Sequence, residues 1–123
     1  MTAPNIVNVS SIIGKTVFDA DIATTKSAIV TNAASSSKLL KINSLIISNI
    51  DGSATADITV TIENAAGNSV NGTIAKTIAV PGDATLVVIS KESSIYLEED
   101  MSIHLLASAA GDLAATCCYE EIS

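Results

Sequence analysis

The chain has 123 residues and a net charge of −7, with 48% hydrophobic residues but only 2% aromatic and 15% charged ones. The high hydrophobicity excludes a disordered chain, and the length suits one domain able to bury its own core. With no Arg, six scattered Lys and three aromatics in all, the sequence lacks the basic face and stacking rings of a nucleic-acid binder.

Residues 1–9 show no basic stretch leading into an apolar run, so they are not read as a secretory signal. The expected place of synthesis is the cytoplasm of the producing cell. The apolar runs are also too short to span a bilayer, so no membrane partner is expected. Residues 1–9 read as an extended arm whose apolar Ile6, Val7 and Val9 would be poorly placed in water and are set aside for a partner. Ile6–Val9, Ile12–Phe18 and Ser27–Thr31 follow as short strands, with Gly14 marking a bulge or bend. Asn32–Ser37 is a loop of small residues.

Lys38–Asn49 is apolar on both faces: Leu40, Ile42, Ser44 and Ile46 on one, Leu39, Leu45 and Ile47 on the other. The second face, Leu39, Leu45 and Ile47, is expected to meet another subunit, and a homotrimer is the expected assembly. Asn49–Ser53 makes a turn. The clearest alternation is Ala56–Glu63, with Ala56, Ile58, Val60 and Ile62 inward and Asp57, Thr59, Thr61 and Glu63 in water. Asn64–Asn68 and Asn71–Gly72 read as turns, Thr73–Val80 as a strand ended by Pro81–Gly82, and Leu86–Ile89 and Ile95–Leu97 as short strands. Met101–Ser108 alternates again. Ala109–Asp112 reverses the chain, and the last strand puts Leu113, Ala115, Cys117 and Tyr119 on one face.

Seven to nine short strands with no helix predict an all-β fold: a single antiparallel β-sandwich, jelly-roll or immunoglobulin-like. Its expected core is Ile58, Val60, Ile62, Ile78, Val88, Ile103 and Leu105.

The chemistry-bearing residues are few. His104, the sole histidine, is expected to be solvated or at an interface. Glu98-Glu99-Asp100 reads as a solvated loop; a Ca²⁺ site shared with Asp112 or Asp83 is the weaker reading, because no EF-hand spacing is present. Gly14-Lys15-Thr16 lacks the upstream glycine of a phosphate loop. Asn71-Gly72-Thr73 is a glycosylation sequon but is read as a turn. Cys117 and Cys118 are neighbours on a strand, so one thiol should be buried and the other outside, both free. No catalytic residue, cofactor or metal is expected.

The segments Pro81–Ser90, Ser94–Asp100, Ser102-Ile103 and Ala107–Leu113, with the ending Tyr119-Glu-Glu-Ile122, resemble small all-β virion proteins of tailed bacteriophages, including phages of cyanobacteria. The resemblance covers residues 38–123. Where that pattern has Gly-Asp before Ser-Ile, this chain has Asp100-Met101. The resemblance implies a non-enzymatic structural protein of the virion, found in the particle and partnered by itself and by the major capsid protein or another virion protein. A capsid decoration or cement protein leads, with a head–tail neck or tail component next. The rival from another class is a glycan- or receptor-binding module, for which only Phe18, Tyr96 and Tyr119, in separate segments, could supply rings.

Overall fold

A computed structural model describes residues 4–123. Nine strands follow in order: β1 (Ile12–Asp19), β2 (Ser27–Asn32), β3 (Leu39–Asn49), β4 (Ala56–Glu63), β5 (Val70–Val80), β6 (Thr85–Ile89), β7 (Ile95–Leu97), β8 (Met101–Ala107) and β9 (Leu113–Ile122). A 3-10 turn, Lys91–Ser93, precedes β7.

The strands form two antiparallel sheets. One has the order β1-β9-β3-β6, with β7 also paired to β3; the other has the order β2-β8-β4-β5. This order is that of a jelly roll, two interleaved Greek keys. The alternation along β4, β8 and β9 sets it up: inward Ile58, Val60, Ile103, Leu105, Leu113 and Cys117 are sealed between the sheets. Each fully buried Ile or Leu contributes about 1.5–3 kcal/mol of hydrophobic stabilisation. Ile62 and Val88 are partly buried against this core.

Ile78 departs from the expected core and is 42% exposed. It faces Ile58 across the ladder but stands on β5, an edge strand with no neighbour beyond to cover it. Two further expectations are corrected. Gly14 causes no bulge, since β1 pairs β9 in unbroken register. Asn71-Gly72 lies within β5 and is not a turn; the extra residues there are absorbed as bulges against β4.

The largest correction concerns β3. Between Ile42 and Ser44 the register against β9 slips by one residue, Asn43. The bulge reverses the inward parity: Leu40 and Ile42 point inward before it, Leu45 and Ile47 after it. Leu45 and Ile47, expected at a subunit interface, are fully buried in the chain's own core, and of that trio only Leu39 is half-buried. The second apolar face was one of two reasons for expecting a trimer, the other being the few charges available to guard strand edges; Leu45 and Ile47 no longer support the first.

Two buried asparagines tie the sheets together. Asn32, ending β2, donates to the carbonyls of Lys38 and Leu97 at 2.9 and 3.0 Å. Asn49, ending β3, donates to those of Ala54 and Val80, both at 2.8 Å. Each satisfies backbone acceptors that a sheet-crossing connection leaves without ladder partners.

Candidate functional site

His104 is neither solvated nor at an interface. It projects from the outer face of the β2-β8-β4-β5 sheet, yet it is buried. Its roof is the β4–β5 connection: a Cβ on Gly67 (φ +75°) would stand 2.6 Å from its Nε2. Beneath this roof lies a polar network. Ser102 Oγ donates to the Asn64 carbonyl (2.8 Å) and sits 3.0 Å from His104 Nδ1, so Nδ1 carries the donated hydrogen. Lys26 Nζ donates to Glu63 Oε1 (2.7 Å) and Thr61 Oγ1 to Glu63 Oε2 (2.6 Å). Burial pushes the Glu63 carboxyl up, but these bonds and the charges of His104 and Lys26 outweigh it and hold it below its ordinary value. The Ser102 hydroxyl, His104 Nδ1 and both Glu63 oxygens are spent on one another or on neighbouring groups, and the Ser102 hydroxyl is inaccessible. The arrangement stabilises the fold and pins the roof.

At one end of the sandwich a cleft of about 250 Å³ opens between the sheets, lined by Lys15, Asn32, Lys38, Tyr119 and Glu121 among others. Lys15 and Lys38 both ion-pair with Glu121. The paired ammoniums hold the Glu121 carboxyl low. One of the two lysine charges is left uncompensated by that single carboxylate.

The acidic run Glu98-Glu99-Asp100 forms the turn between β7 and β8, and Asp100 Oδ1 accepts from the Ala65 amide (3.1 Å). Asp100 has φ +62°, the left-handed conformation that glycine takes most easily. Asp112 lies instead beside Asp51 and Asp21: burial and then its bond to and charge repulsion from Asp51 push its carboxyl up. Among the described residues no group of three His, Cys, Asp or Glu could hold a metal ion.

What remains is a surface. Across β1-β9-β3-β6, directly opposed residues form rows on the outer face: Ile12–Ile122–Leu39, Thr16–Cys118–Ser44 and Phe18–Thr116–Ile46–Val87. Only the row Gly14–Glu120–Lys41–Tyr96 carries charge, one of each sign. Phe18 is 73% and Val87 55% exposed. Large exposed apolar patches on soluble proteins are candidates for interaction sites, and this sheet face is such a candidate. Cys118 lies at its centre, half-buried and free, while Cys117 points into the core, where burial pushes its thiol up to about 12. Phe18 and Tyr96 stand on strands separated by β9 and β3, and Tyr119 faces inward, so the three rings form no cluster.

Of the expected arm, residues 1–3 lie outside the described residues. Residues 5–8 are not extended but form a turn, closed by the Asn8 amide on the Asn5 carbonyl (3.0 Å). Val7 is 89% exposed, Ile6 is exposed and Val9 is half-buried. The turn is moored next to β1, where the amides of Ser10 and Ser11 donate to the Ser123 carbonyl. Ile6 and Val7 lie at the surface; sequence reasoning missed the sheet face, whose signal was the near absence of charge at the outward positions of four separate strands, Glu120 and Lys41 being the exceptions.

No protein-family model matches the chain, and no curated protein matches it in sequence. Among solved structures it is similar to a chain described under "Bacillus endospore appendages form a novel family of disulfide-linked pili", with a TM-score of 0.50 and 17% identity over 92% of this chain and 88% of that one. The similarity is one of fold.

Proposed function

We propose that this chain is a non-enzymatic structural subunit of a tailed-bacteriophage virion, acting by packing against copies of itself and against the major capsid protein or another virion protein. The observation that carries the reading is the nearly charge-free outer face of β1-β9-β3-β6, with Ile12, Phe18 and Val87 exposed on it. In water such a face costs solubility; between subunits it supplies buried apolar area. Two further points support the reading. Jelly rolls serve as viral capsid domains, and the like-folded chain comes from disulfide-linked pili. Within the particle, capsid decoration is the leading place: a net charge of −7 suits the outer surface, away from packaged DNA. Ile6 and Val7, with Val9 behind them, are the segment that reaches the capsid. Quantitative mass spectrometry of gradient-purified particles tests this. The expected result is the intact chain at a fixed ratio to the major capsid protein; its loss during purification would refute the reading.

A further inference from the structure

β7, an edge strand of three residues, pairs β3 without a break. Of the longer edge strands β1, β2, β5 and β6, all but β1 are broken by bulges. Each shift inserts extra residues on the edge strand itself: one on β2 against β8, one on β6 against β3, and three on β5 against β4. Bulged edges resist pairing with another chain. β1 alone among them pairs its inner neighbour without a break from Ile12 to Asp19, contains no proline, and among the described residues has no strand paired to its other side. It is an eight-residue unbroken edge with Ile12, Ile13 and Phe18 exposed and Lys15 and Asp19 its only charges.

We propose that this edge pairs with the β1 edge of a second copy, antiparallel about a two-fold axis, so that the two sheets become one. The inference rests on the reading that the chain works by self-association. Such a two-fold axis runs perpendicular to the sheet and keeps the outer face of each copy on the same side, so directly opposed residues must both be outward (Ile12, Gly14, Thr16, Phe18) or both inward (Ile13, Lys15, Val17, Asp19). Few registers satisfy this. One centred on Gly14 sets Ile13 against Lys15. One centred on Lys15 opposes the two ammoniums. One centred on Thr16 sets Ile13 against Asp19. The register centred on Val17 opposes Lys15 to Asp19 twice, Thr16 to Phe18 twice, and Val17 to itself.

Opposite charges directly across a ladder stabilise it and like charges weaken it, so charge complementarity selects the Val17 register. The cleft supplies the surplus: Lys15 and Lys38 share one carboxylate, Glu121, which leaves positive charge for Asp19 of the second copy. This register also brings the two Phe18 rings into diagonal contact and keeps the Pro4–Ser11 segments clear of the paired stretch.

Sedimentation equilibrium on the full chain at micromolar concentration tests the contact, with circular dichroism verifying the fold of each variant. The wild-type chain should be a dimer. Asp19→Lys, which sets an ammonium against that of Lys15 across the ladder, should weaken it at least about tenfold, which is roughly 1.4 kcal/mol. Phe18→Lys should do the same. Adding Lys15→Asp to Asp19→Lys should restore the dimer, and Lys76→Asp on bulged β5 should leave it intact. A monomeric wild-type chain, or an oligomer that survives Asp19→Lys, overturns the proposal. If the chain is nonetheless present in purified particles, only the β1 contact is refuted; if it is absent from them, the virion reading fails whatever the dimer does.

Discussion

Gly67 is the residue on which the roof over the polar network turns. Its φ of +75° and the His104 ring edge leave no room for a side chain. Gly67→Ala should cost about 1–3 kcal/mol, from overpacking and left-handed strain together, measured as a lower midpoint in urea at unchanged slope. The ionisable groups give a pH signature. Glu63 and Glu121 hold their protons less tightly folded than unfolded, so they stabilise above the ordinary carboxylate range and that stability is lost as pH falls through it. Asp112 is shifted the other way, so its penalty is full at neutral pH and vanishes in acid. Asp112→Asn should therefore raise the melting temperature at pH 7 and leave it unchanged near pH 3; equal effects at both would contradict the placement beside Asp51. The two cysteines should separate in a thiol titration: Cys118 reacts in the native protein, and Cys117, its thiol pushed up to about 12 in the core, reacts only on unfolding. His104 shows why such residues escaped the sequence. Its alternation put it on the outer face, correctly, but nothing local signals that a loop from a distant part of the chain folds over that face.

At the scale of the element, strict alternation was legible wherever a strand is regular. Leu113, Ala115, Cys117 and Tyr119 on β9 share the inward face, as their spacing predicts. β3 defeated the same reasoning because a bulge leaves no mark in composition. Asn43 is an ordinary polar residue among apolar ones, and reading through it with period two assigned Leu45 and Ile47 to the outside. Deleting Asn43 should force either Leu40 and Ile42 or Leu45 and Ile47 out of the core. The loss of two buried aliphatic side chains, at about 2–5 kcal/mol each, exceeds much of the stability of a domain this size. The expected outcome is a chain without a cooperative thermal transition; a deletion variant that melts within a few degrees of wild type would show that the bulge is dispensable.

For the whole molecule, the sandwich class was legible from strand number and turn spacing, whereas the pairing was not. In a jelly roll most consecutive strands lie in different sheets, and only β4–β5 here is a hairpin of neighbours in one sheet. Asn49–Ser53 therefore reads correctly as a turn while β3 and β4, which it joins, never pair. The interaction face is likewise assembled from β1, β9, β3 and β6, segments far apart in sequence, so its missing charges become a surface only after folding. The proposed assembly role rests on that apolar face, since the polar network around His104 is spent on the fold. The most direct measurement of the proposed role is cryo-electron microscopy of particles of the phage whose genome, on the virion proposal, encodes this chain. Jelly-roll density is expected on the outer capsid surface in hundreds of copies, with the β1-β9-β3-β6 face covered by a neighbouring subunit; six or twelve copies at the neck or tail would move the subunit within the particle, and a particle with no such density would contradict the assembly role.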